Sequence, residues 1–362
     1  MLNQRVPFDG FSLSCSGDAL NYSLPWLSIE AELSGPDRDT VLAGIAQIQK
    51  GDYFAREAQN FLQQLSDYPA SYFAPRKGLG REASQARMEE PPGCTTPGAI
   101  LARVGAPYPM QTWMWDLGRI EALSQVDEHV FDPLSVVSYL IGKRLELEVL
   151  TDPYRAAVEQ KFDKLRVFDE GTLFELAALV IRQTHHITSS ILPILRIAHE
   201  AHPRLAESIK HFMDEEIGHD KLMERSLSHL GRKDPATIPV LPSTAAMMKL
   251  FELAARHSPL AFVSCIGMFE GSSYPDSDPL ADLLEKTSIP GAAYGYKAHF
   301  KINRDHNHKD EVFAFAAALP ALSQEELTLG VRLFELTARA SQIMDIEINQ
   351  EIDRTITSRL VR

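Results

Sequence analysis

The chain has 362 residues, of which 44% are apolar and 23% charged, with a formal net charge of −13. That length exceeds one small core and suits two domains, and the composition is that of an ordinary globular protein. The acidic balance argues against a nucleic-acid surface, which needs clustered Lys and Arg.

In chain order, the N-terminus lacks a charged stretch followed by a long apolar core, so no secretory leader is expected. Residues 1 to about 68 read as mixed. The run from Ser23 to Leu33 alternates as a strand does, and Thr40 to Ile48 sets Val41, Leu42, Ile45 and Ile48 on one side of a helix. Residues 60–65 continue the helical composition. From about 69 to 110 the texture changes: Pro75, Pro91, Pro92, Pro97, Pro107 and Pro109 alternate with glycines, the composition of a loop or linker. Gly78-Leu-Gly-Arg is too sparse in glycine for a phosphate loop.

Beyond about residue 126 nearly everything reads as helix. Starts are expected at Asp132-Pro and at Thr151-Asp-Pro, where proline occupies a tolerated first-turn position. Helices are then predicted over 172–199, 203–230, 243–257, 259–273, 279–287, 294–319 and 323–357. Gly231 stands where a left-handed cap would end the second of these, and Ser323-Gln-Glu-Glu has capping-box form. The expected organisation is an accessory region over 1–125 and an all-α bundle over 126–362. No apolar run approaches the roughly 20 residues that span a bilayer.

Cys15, Cys94 and Cys265 stand far apart without a Cys-x-x-Cys, so neither a zinc ribbon nor a thioredoxin-type site is supported. The sparse, odd count suits a reducing compartment, and the cytoplasm is the expected address. There is no Gly-x-Ser-x-Gly elbow of a nucleophilic hydrolase.

The chemistry concentrates in three stretches. His299, Asn303 and His306 fall at i, i+4 and i+7, which sets three metal-binding side chains on one helical stripe. Glu216 and His219 lie at i, i+3 in Asp214-Glu-Glu-Ile-Gly-His; Glu215 lies at i, i+4, and Glu216 is preferred for its Glu-x-x-His spacing. Glu270 ends the apolar run from Ala261 to Phe269, where a lone buried carboxylate costs several kcal/mol unless it is paired or bound to a metal. Each has a bland alternative: a solvated charged face for 214–220, a helix-mouth carboxylate for Glu270, and a polar loop for His306-Asn-His. His185 and His186 fall mid-helix, suited to lining a pocket or supporting a ligand. His199, His202, His211 and His229 read as surface.

Taken together these stretches resemble the heme-oxygenase-like diiron oxidases, over about residues 165 to 355. This family shares a seven-helix fold with heme oxygenase, the TenA-type thiaminases and pyrroloquinoline-quinone synthase. Glu215 to Gly231 is similar to the family's Glu/His ligand helix with its trailing Leu-Gly. Phe269-Glu-Gly-Ser-Ser-Tyr-Pro is similar to the helix end that bears a bridging Glu. Tyr294-Gly followed by His299-x-x-x-Asn-x-x-His306 is similar to the family's Tyr-Gly and His-x-x-x-Asp-x-x-His. His219 to Glu270 spans 51 residues and Glu270 to His299 spans 29, in the family's order.

The resemblance implies a mostly α, heme-oxygenase-like seven-helix bundle beside a smaller mixed α/β N-terminal region. It implies a metal site of Glu216, His219, Glu270, His299, Asn303 and His306 that binds Fe(II)/Fe(III), and oxidation of a small metabolite with dioxygen. A homodimer is the family's usual assembly. Asn303 stands where the family has Asp, which leaves a labile second iron, a single iron, or Asp305 as a substitute. A further Glu from the first core helix has only Glu175 to represent it. Two rivals remain: a metal-free enzyme of the same fold in which His and Glu do acid–base work, and a non-catalytic binding protein with a degraded site.

Overall fold

The computed structural model describes residues 12–16, 19–24, 27–32, 38–49, 55–57, 60–61, 70–75, 125–127, 130–270, 277–306 and 308–360. Strands β1 (Ser12–Ser16), β2 (Ala19–Leu24) and β3 (Leu27–Glu32) precede helix α1 (Arg38–Gln49) and strand β4 (Ala70–Pro75). The four strands form one antiparallel sheet in the order β1-β2-β3-β4. The single strand expected over 23–33 is therefore two strands that meet at Leu24 and Leu27. Pro25 lacks an N–H for the ladder and favours a turn. The linker expected from 69 onwards also needs correction, because 70–75 is the strand β4. Its Tyr72 and Phe73 are strand formers that outweigh the neighbouring prolines. The rest of that stretch, to 110, lies outside the described residues.

A second, small sheet joins β5 (Gln125–Asp127), β6 (Val130–Phe131) and β7 (Leu322–Ser323). The bundle follows from β6: α2 (Pro133–Phe168), α3 (Glu170–Ala201), α4 (Ala206–Glu216), α5 (His219–His229), α6 (Pro242–His257), α7 (Pro259–Glu270), α8 (Pro279–Glu285), α9 (Tyr294–His306), α10 (His308–Ala318) and α11 (Gln324–Leu360). The mostly α bundle with a smaller mixed N-terminal region is thus the observed architecture.

Side-chain caps set the helix starts. Asp132 accepts from Ser135 N at 2.9 Å, Asp169 from Thr172 N at 3.0 Å and Asp278 from Ala281 N at 3.0 Å. Ser323 and Glu326 close the expected capping box, with Ser323 N donating to Glu326 at 2.7 Å and Glu326 N to Ser323 at 3.3 Å. Gly231 ends α5 at φ +75°, as expected. No helix starts at Thr151, since α2 runs through Pro153 and forgoes one backbone hydrogen bond there.

Helices α6 and α7 form the centre. Residues 242–255 and 260–268 are all buried, which is why their sequences are apolar or small nearly all round. Lys249 and Glu252 are the exceptions on α6; they pair at 2.5 Å, with Arg256 at 3.2 Å from the same carboxylate. Around them lie α3, α10 and α11. Leu20, Val41, Ile45 and Phe61 belong to the same apolar cluster as the α6 and α7 residues, so the N-terminal layer shares the bundle's core. Cys15 and Cys265 carry no disulfide; Cys265 is enclosed, and burial pushes its thiol up to about 12.

A candidate metal centre

The helix expected over 203–230 is interrupted. A short 3-10 turn, Pro203–Leu205, leads into α4, and α4 ends at Glu216. Ile217 turns extended, Gly218 adopts φ +94°, and α5 starts at His219. Only glycine takes that backbone conformation without strain. The kink brings the two flanking residues together: His219 Nδ1 lies 2.9 Å from Glu216 Oε2, and both side chains are almost wholly buried. Ile217, between them, is pushed out to 67% exposure.

Helix α9 is brought against α5 by Gly295. A Cβ there would lie 2.3 Å from Leu222 O, and Gly295 N donates to Ser226 Oγ at 2.8 Å. This close approach seats His299, one turn on, against His219; their rings meet edge-to-face with centroids 4.8 Å apart. Another turn along α9, Asn303 Nδ2 donates to Glu270 Oε2 at 2.9 Å. Because a carboxylate only accepts, the amide nitrogen must face Glu270, and Asn303 Oδ1 points elsewhere. That oxygen is buried and has no hydrogen-bond partner among the described residues.

Five of the six expected residues therefore stand in two contacting groups, Glu216–His219–His299 and Glu270–Asn303, which one turn of α9 links. The backbone of His306 is the last residue of α9, and its side chain lies outside the described residues. The donor set is two carboxylates, two imidazoles and an amide oxygen, a mixture that suits first-row transition metals. The Asn303 oxygen, buried without a hydrogen-bond partner among the described residues, fits such an ion as well.

The alternatives weighed for the ligand set have other partners. Glu175 is exposed and paired with Arg359. Asp305 is exposed beside Arg304, at 3.5 Å. Glu215 faces away from Glu216, toward His211 on its own helix at 3.7 Å, and His211 also stands 3.8 Å from Glu311 of α10. The donor atoms of His211, Glu215 and Glu311 all lie within 4.8 Å of one another, a cluster that includes none of the six expected residues. The i, i+4 spacing of His211 and Glu215 was its one visible trace in sequence. His211 itself is exposed, as expected, whereas His202 is half-buried against Phe262.

His185 and His186 are buried. Arg182 NH1 lies 3.0 Å from His185 Nδ1, and guanidinium only donates, so Nδ1 must accept and the ring proton sits on Nε2, facing Glu224 at 3.5 Å. Burial, then the Arg182 charge, lowers the His185 pKa. Burial lowers that of His186 to about 3, with Arg182, His185 and Lys249 adding to the effect. Arg182 is itself lowered to about 10, chiefly by burial.

Residues 175–341 match the sequence model of a family described as an iron-containing redox enzyme of heme-oxygenase type. That part of the chain is therefore similar to a family of iron-containing redox enzymes. The matched span contains all six expected ligands and leaves the N-terminal layer outside. The bundle is also similar to a solved domain of unknown function with a heme oxygenase-like fold from Shewanella denitrificans OS217. The identity is 17% over 58% of this chain and 93% of that one, with a TM-score of 0.42. The comparison with curated proteins finds no match. Among the described residues, no helix is long and apolar enough to cross a membrane.

Proposed function

We propose that the bundle is a non-heme oxidase or oxygenase that holds two irons, the second more weakly, and uses dioxygen on a small metabolite in a biosynthetic step. An amino acid, a fatty acid or a related compound is the expected substrate. The observation that carries this reading is the pairing of Asn303 with Glu270, which leaves an amide oxygen buried with no hydrogen-bond partner among the described residues. The adjacent Glu216, His219 and His299 contacts support it. The residues that would hold the metal are Glu216, His219, Glu270, His299, Asn303 and His306. Iron bound there supplies redox equivalents and open coordination positions for dioxygen. The chain orients these donors through the Gly218 kink and the Gly295 contact, and the apolar α6 and α7 help to exclude water.

A heme reading is less well supported, because both ring nitrogens of His185 are engaged by Arg182 and Glu224 and His186 is enclosed. In the same reading residues 1–125 are an accessory region to the oxidase domain of 126–362. The protein works in the cytoplasm, apart from nucleic acid and membrane, and assembles as a homodimer; light scattering checks the assembly.

The deciding experiment is an anaerobic Fe(II) titration with metal analysis of wild type, His299→Ala and His211→Ala. Iron held by wild type and by His211→Ala but lost in His299→Ala is the expected result. No iron bound at any concentration would sink the oxidase reading and favour the metal-free enzyme. Loss confined to His211→Ala would move the centre to the outer cluster with Glu215 and Glu311.

A further inference from the structure

A cavity of about 430 Å³ lies between α2, α3, α8, α9 and α11. Its volume is within the range of small-molecule sites. The apolar part of its wall comes from Val158, Phe162, Val180, Leu280, Leu283 and Ile346. The polar part is mostly acidic: Glu159, Asp163, Asp278, Asp282 and Asp345 line it, with Lys286 the one cation among the described lining residues; Ala281 N donates to Asp278, Ser277 Oγ to Asp282, and Arg166 stands 3.6 Å from Asp163. Acceptors outnumber donors further at Gln342, whose Oε1 is buried with no hydrogen-bond partner among the described residues. Tyr296, the α9 residue in the wall, shares its hydroxyl hydrogen bond with Thr184 at 2.5 Å.

We infer that this cavity binds an organic ammonium ion with a hydrocarbon body. The ammonium group brings positive charge and N–H donors to a wall richer in carboxylates, and the apolar surface takes the chain. An anion of the same shape, such as a fatty acid, meets carboxylates and too few donors. Burial raises the Asp278 pKa, and a bound cation opposes that effect.

None of the six expected ligands lines the cavity, but Tyr296 of its wall shares α9 with the candidate metal stripe. Tyr296, His299 and Asn303 stand at i, i+3 and i+7 on α9, and three residues of helix rise about 4.5 Å. As a substrate compartment the cavity therefore selects amine-bearing metabolites from the classes proposed above. That role rests on the iron reading; the binding itself does not.

The test uses the full chain in chelator, so that it is independent of iron. Calorimetry compares hexylammonium, hexan-1-ol and hexanoate, with wild type and with a Glu159→Gln/Asp345→Asn double variant whose melting is checked first. Hexylammonium is expected to bind at least about tenfold more tightly than the alcohol, to weaken about tenfold in the variant, and to weaken with salt. Hexanoate is expected not to bind. If the variant fails to fold, the wild-type ranking of the three probes decides alone. Equal affinity for alcohol and ammonium, preference for hexanoate, no binding by the folded protein, or full affinity in a folded variant each overturns the assignment. Ammonium binding by a chain that takes up no iron would keep the cavity and discard the oxidase.

Discussion

Asn303 donates its amide to Glu270 across 2.9 Å, between the last turn of α7 and the last turn of α9. The pair joins the apolar centre of the bundle to the helix that carries His299 and His306. It also makes position 303 a clean probe. Asn303→Asp replaces the donor with a second carboxylate, so the metal-free protein loses a charge-assisted hydrogen bond and gains repulsion. A loss of about 1–3 kcal/mol is expected, reversed when Fe(II) is added anaerobically. Chemical denaturation with and without metal reads both arms; a variant equally stable in the two conditions would argue that no ion sits between these residues.

Gly295 tests how α9 is seated. Any side chain there runs into the carbonyl of Leu222, which is backbone and cannot swing aside. Gly295→Ala is expected to cost about 1–3 kcal/mol by overpacking. It also moves His299 away from His219, so metal affinity should fall together with the denaturation midpoint. Unchanged metal binding in the variant would uncouple the helix contact from the site.

Gly218 tests the kink between Glu216 and His219 by a different route. Space for a Cβ is available, so the penalty comes from φ +94° alone. Gly218→Ala is expected to cost about 1–2 kcal/mol, and Gly218→Asn less, because Asn tolerates the left-handed region. Equal midpoints for the two variants would show that the backbone relaxes out of that conformation.

His186 gives the bundle a pH dependence. Its pKa in the fold is about 3, against an ordinary value of 6.5, so the unfolded chain takes up the proton first as pH falls. Its contribution to stability is complete above pH 6.5 and drains away between 6.5 and about 3. One proton sets a slope of at most about 1.4 kcal/mol per pH unit. His186→Gln removes that proton while other acid-sensitive groups remain. Stability curves of the two proteins should therefore converge toward low pH, and parallel curves would contradict the assignment.

Much of the candidate site was legible because its spacing is local. His299 and Asn303 share a stripe by helical period alone, and Glu270 stood out as a carboxylate closing an apolar run. What was not legible lay at interruptions and across the chain. The break at Ile217-Gly218 is hidden in a pattern that continues as helix on both sides. The cluster of His211, Glu215 and Glu311 needs α10 folded back beside α4. The strand β4 was masked by its prolines, since a strand is decided by the partner that pairs with it.

By itself, then, the sequence determined the helical class, the capping boxes and proline starts, and the order of the metal-binding residues, all of which follow from periodicity and from each residue's own chemistry. Tertiary structure alone decided that Glu216 meets His219 while Glu215 turns toward His211, that Asn303 presents its nitrogen to Glu270, and that an acidic cavity opens beside α9. Those outcomes depend on which backbone stands within a few ångströms of which side chain. Only packing of segments distant in sequence sets that distance.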